Sequence, residues 1–169
     1  MERLGAEFFH RDCLEVAPDL VGKLLVHRLH DGTVLRERIA ETEAYRGEED
    51  LGCHASKGKT PRNQMLWRES GTVYVYLCYG IHSLLNVITG EEDQPQGVLL
   101  RAGCIHDGPG KLTKHLQVTK ELNGGSFVED GVLWFEDDGF TCTTRTAPRV
   151  GIDYAGDYWK NVPWRWIMV

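Results

Sequence analysis

Residues 39–45 limit what this chain can fold into more than any other stretch, because their side chains alternate with the period of a β-strand. In an extended strand, side chains two apart share a face at a spacing of roughly 6.5–7 Å. Ile39, Glu41, Glu43 and Tyr45 are therefore predicted on one face, where two carboxylates crowd beside a tyrosine. A solvated acidic face would show the same alternation, so the rest of the sequence has to decide between a site and a surface.

Two β-hairpins are predicted, each with a glycine in the turn that lets the chain reverse sharply. In the second hairpin, alternation places Val73 and Val75 on one face and Tyr74 and Tyr76 on the other, with Tyr79 at the tip. The two strand pairs are 24–29 with 34–45 around Asp31-Gly32, and 72–78 with 81–88 around Tyr79-Gly80.

The other predicted elements are short, apart from a long loop between the hairpins. Residues 46–70 lack periodicity and are rich in charged and small residues, which predicts a structured loop with short helices. Helical spacing spans residues 12–25 with an interruption at Pro18, and a second helix is predicted from Asp107 as cap, with Pro109 in its first turn. Further strands are predicted at 97–102, 132–135 and 140–144, and Trp159, Trp164, Trp166 and Ile167 are expected to close the core.

Length and composition fit an ordinary folded domain, with 169 residues of which 41% are hydrophobic and 26% charged. We predict a single α+β domain over residues 1–169, built on a curved, mostly antiparallel β-sheet with flanking helices and a protruding β-hairpin. The sequence has neither the ~18 consecutive apolar residues of a membrane span nor the basic and apolar start of a signal peptide, which predicts a cytoplasmic protein. Five cysteines without a Cys-x-x-Cys spacing predict reduced thiols.

The net charge of −6 argues against a protein that coats nucleic acid without specificity. A local basic patch is nevertheless present in the loop after the first hairpin, where only Glu69 lies close by to oppose it. Taken alone, this patch fits a solvated loop as well as a phosphate-binding surface. Its residues are Lys57, Lys59, Arg62 and Arg68.

A series of short motifs runs in one order through most of the chain, and together these motifs are far more specific than any one of them. They are 3–9 (RLGAEFF), 41–45 (ETEAY), His54, 60–63 (TPRN), 74–76 (YVY) with Tyr79-Gly80, Asn86, 98–102 (VLLRA), 108–112 (GPGKL) and 149–151 (RVG). This set resembles the alkyladenine (3-methyladenine) DNA glycosylase family.

The resemblance implies a base excision repair enzyme that removes alkylated or deaminated purines from duplex DNA by hydrolysing the N-glycosidic bond. Glu43 matches the carboxylate that activates a water, and a carboxylate also suits the positive charge that develops on the sugar. Arg101 matches the side chain that helps to hold this water, and the carbonyl of Val150 matches its third anchor. An ordinary structural salt bridge between Glu43 and Arg101 is the competing interpretation.

The resemblance also implies that the damaged nucleotide rotates out of the helix into a slot with flat aromatic walls. Tyr45, His54 and Tyr76 match the residues of this slot, and Asn86 matches the amide that borders the purine edge. Tyr79 matches the wedge that fills the gap left in the base stack. Taken singly, each of these could instead be a strand, loop or hairpin residue with a structural role.

Contacts with duplex DNA are expected from the basic patch and from the start of the second helix, including Gly110 and Lys111. No lysine is among the matched slot residues, so the resemblance implies hydrolysis by a monofunctional enzyme, without a Schiff base, metal or cofactor. We expect a monomer that works on nucleoid DNA. The chain departs from the family pattern at the short 102–107 connection, at Tyr154, where histidine is common, and across 117–148.

Two other functions remain open at this point. One is a metal-dependent hydrolase built from Glu41, Glu43, Cys53 and His54, although no metal-binding spacing supports it. The other is a non-catalytic module that binds damaged or single-stranded nucleic acid, which aromatic and basic residues would serve equally well. A protein that binds a lesion duplex without releasing the base would be the non-catalytic module.

Overall fold

A curled antiparallel sheet with a few helices forms the frame of the protein, as seen in a computed structural model that describes residues 2–169. Its main path runs β1-β7-β2-β3-β6-β5-β4, and β9 adds to β3 and to β8. The strands are β1 (Glu2–Arg3), β2 (Leu24–Arg28), β3 (Val34–Arg46), β4 (Val73–Cys78), β5 (His82–Ile88), β6 (Gln96–Gly103), β7 (Leu133–Asp137), β8 (Thr144–Ala147) and β9 (Arg165–Met168). The predicted α+β class and curved antiparallel sheet are confirmed.

Within residues 2–169, four short helices accompany the sheet: α1 (Ala6–Phe9), α2 (Cys13–Leu20), α3 (Pro109–Leu116) and α4 (Gly156–Asn161). The loop between the hairpins carries two 3₁₀ turns, His54–Lys57 and Gln64–Trp67, as its composition predicted. Others lie at Lys120–Leu122 and Asp153–Ala155. Among residues 2–169, no helix has the length and apolarity that crossing a membrane requires.

The central strand β3 contains a β-bulge that changes which side chains share a face. Its register with β6 shifts between Ile39 and Glu41, and an extra residue at such a point reverses the alternation. Ile39 is therefore buried in the core together with Ala44, five positions away. The prediction that Ile39 shares a face with Glu43 and Tyr45 is wrong, because alternation alone does not reveal a bulge.

The core lies between the sheet and α2 and α3, and its buried side chains include Phe9, Leu25, Val75, Leu100 and Phe135. The hydroxyl of Thr42 on β3 donates to the carbonyl of Ala17 on α2 at 2.7 Å, which ties the helix to the sheet. Asp12 caps α2 by accepting from the backbone N–H of Leu14.

The second hairpin forms as predicted, with β4 and β5 paired from Val73 and Val87 to Cys78 and His82. Val73 and Val75 lie in the core, whereas Tyr74 and Tyr76 stand on the opposite face with ring centroids 5.3 Å apart. The amide of Ile81 donates to the carbonyl of Cys78 at 3.1 Å and closes the turn.

Three boundaries differ from the prediction. The first helix ends at Leu20 instead of residue 25, because Val21 is extended and β2 begins at Leu24. Gly108, whose φ is 124°, caps α3 without a side-chain bond, so Asp107 is not its cap. The strand predicted at 140–144 lies at Thr144–Ala147 instead and pairs with β9. Trp164, Trp166 and Ile167 pack at the core as expected, while Trp159 packs edge-on against Trp164.

Candidate active site

A cavity of about 280 Å³ opens on the face of the sheet that carries Tyr74 and Tyr76. Strands β3 to β6, the loop after β3 and the segment before α4 all contribute to its wall. The wall contains every residue predicted for the base slot, and also Tyr79, Arg101 and Val150. Its lining residues are Tyr45, Gly52, Cys53, His54, Leu66, Tyr74, Tyr76, Cys78, Tyr79, Leu84, Asn86, Gly97, Leu99, Arg101, Val150, Gly151, Ile152 and Tyr154.

One wall of the cavity is a cluster of three flat rings. His54 lies 4.6 Å from Tyr76 between ring centroids, at an interplanar angle of 66°. The Nδ1 atom of His54 lies 2.9 Å from the hydroxyl of Tyr74, which fixes the histidine ring. Burial lowers the pKa of His54, and the charges of Arg62 and Lys57 lower it further, so the ring is neutral near pH 7. The cluster therefore offers uncharged aromatic surfaces to a ligand.

Tyr45 joins this aromatic cavity to the buried carboxylate behind it. Its hydroxyl donates to Oε1 of Glu43 at 2.7 Å. Burial raises the pKa of Tyr45 well above its usual value, and the charge of Glu43 raises it further. The hydroxyl therefore stays protonated and remains a donor. The guanidinium of Arg149 lies over the ring, 4.8 Å from its centroid.

Asn86 offers a hydrogen-bond acceptor to the cavity. Its Nδ2 atom donates to the carbonyls of Tyr74 and Leu84 at 3.3 and 3.4 Å, which sets the orientation of the amide. The Oδ1 atom accepts no hydrogen bond from residues 2–169, so it is the amide atom that remains for a ligand.

Glu43 is fully buried and lies one layer behind the cavity wall. The backbone N–H of Val150 donates to its Oε2 atom at 2.8 Å, while Nε of Arg101 lies 3.8 Å from the same oxygen. That second distance is too long for a direct hydrogen bond. Val150 thus contacts Glu43 through its N–H, a contact that the sequence did not predict, and the role of its carbonyl stays a prediction.

The residues of the metal-hydrolase alternative are engaged elsewhere. Glu41 pairs with Arg165 on β9 at 3.3 Å, and Glu43 accepts from Tyr45 and Val150. Burial raises the pKa of Cys53 to about 12, so its thiol stays protonated and is a poor metal ligand. These contacts favour hydrogen bonding over metal binding at this site.

A buried ion pair that the sequence analysis missed stands behind the cavity. Asp50 and Arg149 are both fully buried, and their two bonds measure 2.6 and 2.9 Å. Asp50 also accepts from the amides of Arg46 and Gly52 at 2.9 Å, and Arg149 donates to the carbonyl of Ala44 at 3.0 Å. The pair holds the loop after β3 against the strand. The 149–151 motif was the available signal, but nothing in the sequence linked it to Asp50.

The rim of the cavity is formed by the hairpin tip, where Tyr79 is 92% exposed and Ile81 is 74% exposed. The chain has φ values of 53° at Tyr79 and 68° at Gly80. Positive φ suits glycine but is rare for a bulky side chain, at a cost of about 1–2 kcal/mol. Tyr79, which the sequence indicated, lines the cavity, whereas Ile81 does not.

Two of the predicted DNA-backbone residues contact the base of this hairpin, and the others lie on the loop after β3 or on α3. Arg62 donates to the carbonyl of Leu77 on β4 at 2.9 Å. Gly110 packs on His82, since an added Cβ would lie 3.1 Å from that ring. Lys57, Lys59, Arg68 and Lys111 are exposed, and Arg68 lies 4.0 Å from Glu69.

Comparison with known proteins gives the class of enzyme to which this site belongs. The sequence model of the methylpurine-DNA glycosylase family matches residues 7–107 and 103–169, so its two matched segments meet at the short connection. The chain belongs to this family, and it is a DNA glycosylase that hydrolyses N-glycosyl bonds. The second segment also covers the whole of residues 117–148, the region that had shown a poor match to the motifs.

Individual relatives lead to the same family. A protein of Anaeromyxobacter sp. (strain Fw109-5), named as a candidate 3-methyladenine DNA glycosylase, is 44% identical over 175 residues, which cover 98% of this chain and 89% of its own. One of Methanocella arvoryzae with the same name is 41% identical over 185 residues, or 98% and 92% of the two chains. Another, of Psychrobacter cryohalolentis, is 41% identical over 179 residues, or 89% and 84%.

Proposed function

We propose that this enzyme rotates alkylated or deaminated purines out of duplex DNA into the cavity and hydrolyses the N-glycosidic bond with a water activated by Glu43. The observation that carries this proposal is the direct bond between Tyr45, a wall of the cavity, and Glu43 at 2.7 Å. One short strand segment thereby supplies both a surface for the base and the group that acts on the sugar bond.

The base is bound by stacking and by its edge. Stacking on aromatic side chains contributes about 1–3 kcal/mol per base, and Tyr45, His54 and Tyr76 provide such surfaces in the cavity. The Oδ1 atom of Asn86 would accept a hydrogen bond from a donor on the purine edge. The bulk of the Asn86 amide at that edge would leave no room for the exocyclic amine of guanine. The slot thus selects damaged purines by shape and by hydrogen bonding.

The water is proposed to lie between Glu43 and Arg101. A separation of 3.8 Å between Nε and Oε2 exceeds a direct hydrogen bond, and a bridging water suits such a distance. Arg101 lines the cavity, so the bridge would face the bound nucleotide. Because Tyr45 and Val150 already donate to Glu43, its oxygens act as acceptors, as a group that takes a proton from water must.

The reaction is proposed to be simple hydrolysis by a monofunctional enzyme. Among residues 2–169, no lysine lines the cavity, so an amine for a Schiff base is missing from its wall. The exposed residues Lys57, Lys59, Arg62, Arg68 and Lys111, with Gly110, are proposed to contact DNA phosphates. We also propose that the protein acts as a monomer on nucleoid DNA in the cytoplasm, with no metal in the reaction.

Base release from defined duplexes tests the proposal. Duplexes with 3-methyladenine, 7-methylguanine, hypoxanthine or ethenoadenine are incubated with the full chain, and free base is measured by chromatography. We expect release of at least one alkylated base, and an abasic strand that breaks only after alkali. No release from any lesion would contradict the proposal, and lesion binding without release would favour the non-catalytic module.

Tyr79 is proposed to fill the gap that the flipped nucleotide leaves. Replacement of Tyr79 by alanine is expected to slow base release from duplex DNA at least about tenfold, because unstacking a base step costs a few kcal/mol and tenfold corresponds to ~1.4 kcal/mol. Release from a single-stranded lesion should change much less, since no stack has to be opened. Single-turnover rates on both substrates measure the difference.

The matched control is Tyr158→Ala, which removes another exposed tyrosine that does not line the cavity. It should leave both rates unchanged. An equal loss on duplex and single-stranded substrates in Tyr79→Ala would show that Tyr79 binds the base instead of acting as a wedge.

A further inference from the structure

A second group of chemically active side chains lies apart from the cavity. Glu37 on β3, His106 in the 102–107 connection and His115 in the last turn of α3 meet at one point, and none of them lines the cavity. Their three ligand atoms all lie within 4.8 Å of one another. The proposed reaction uses none of these side chains.

The carboxylate of Glu37 is held in place by the chain around it. Its side chain is only 1% exposed, and its Oε2 atom accepts from the amides of Ile105 and His106 at 3.2 and 2.8 Å. A Cβ at Gly103 would overlap the carboxylate, at 1.7 Å from Oε2, so glycine at this position leaves the room that Glu37 occupies. The other oxygen, Oε1, is directed at the two histidines.

The histidines approach Oε1 from the exposed side. Nδ1 of His106 lies 2.6 Å from Oε1 and Nε2 of His115 lies 3.8 Å from it. Their rings stack with centroids 4.1 Å apart and an interplanar angle of 15°. Each histidine side chain is about one third exposed, at 34% and 35%, so the point where the three meet can be reached from solvent.

We propose that Glu37, His106 and His115 bind a divalent transition-metal ion such as Zn²⁺. Two imidazoles and a carboxylate are ligands that suit zinc, copper and nickel. Ligand atoms about 2.1 Å from a tetrahedral ion lie about 3.4 Å from one another. The observed 2.6 and 3.8 Å separations fall on either side of that value. Because an imidazole nitrogen binds a metal in the plane of its ring, the two stacked rings would also turn out of their parallel arrangement to form the site. A water completes the shell from the exposed side.

The ion would act on the fold and not on the glycosidic bond. Its three ligands belong to three separate segments of the chain, namely β3, the connection between β6 and α3, and α3 itself. The ion would add to the hydrogen bonds by which Glu37 already holds His106. The amides that bond Oε2 serve as the outer hydrogen bonds that orient a ligating carboxylate. An ion that binds the folded chain alone raises its stability by mass action.

The test measures Zn²⁺ binding to untagged full-length protein that has been stripped with chelator and dialysed. Calorimetric titration should give one Zn²⁺ per chain, and Co²⁺ should give the visible absorption of a tetrahedral site. His106→Gln and His115→Gln should each weaken binding at least tenfold while the unfolding temperature without metal stays close to that of the wild type. Added Zn²⁺ should raise the unfolding temperature of the wild type and not of these variants.

Two control variants separate this site from other ligands. His10→Gln removes the exposed histidine that bonds Glu91 at 2.7 Å, and Cys104→Ser removes an exposed thiol two residues from His106. Both should bind Zn²⁺ like the wild type. The proposal is overturned if the wild type binds no Zn²⁺ at 100 μM ion, about the top of the titration range, or if the His106 and His115 variants bind as tightly as the wild type.

Discussion

Replacement of Glu43 by glutamine is expected to slow base release by about 10²–10⁴-fold, the usual contribution of a general base. Binding of a lesion duplex should change little, because the aromatic walls and Asn86 are untouched. The amide is isosteric with the carboxylate and can keep both hydrogen bonds. Its oxygen can accept from Val150 N–H, and its NH₂ can donate to the hydroxyl of Tyr45, which can reverse its role.

Glu41→Gln is the matched control for this experiment. Glu41 lies on the same strand, two residues away, but its carboxylate pairs with Arg165 and does not line the cavity. Single-turnover release should therefore stay within a few-fold of the wild type, and a binding assay should give similar affinities for all three proteins. Release by Glu43→Gln at the wild-type rate would show that another group activates the water.

Replacement of Asp50 by asparagine is expected to lower the free energy of unfolding by about 3–5 kcal/mol, the usual result of removing one partner of a buried ion pair. The charge of Arg149 would then lack a partner, and it would stay out of reach of water because both side chains of the pair are fully buried. Because Arg149 lies 4.8 Å from the Tyr45 ring centroid, the same change should loosen that wall of the cavity and raise KM more than it lowers kcat.

Urea denaturation at pH 7 measures this loss, with Asp19→Asn as the matched control. Asp19 pairs with Arg11 at 2.9 Å, but both side chains are partly exposed, and such surface pairs contribute about 0–1 kcal/mol. If Asp50→Asn and Asp19→Asn lose the same amount, the buried pair does not stabilise the fold as its geometry indicates. A substituted chain that no longer folds agrees with the larger loss.

The bulge in β3 is a feature that the local sequence pattern did not predict. Alternation correctly predicted a strand, and it placed Glu43 and Tyr45 together, because the pattern between them is uninterrupted. It failed for Ile39, because an extra residue in one strand is visible only against its partner. Similarly, Gly108 caps α3 in place of the predicted Asp107, because the backbone conformation of Gly108 depends on how the preceding short connection meets the helix.

The sequence by itself determined the antiparallel hairpins, the α+β class and the family, because these depend on side-chain period, turn residues and motifs that lie within short stretches of the chain. It also indicated the residues that the structure brings to one cavity. Only the tertiary structure decided that Glu43 lies behind the cavity wall, that Asp50 meets Arg149 and that Glu37 meets His106 and His115. Such contacts join residues roughly 70–110 positions apart, and their distances are set by the packing of whole elements, which no local pattern records.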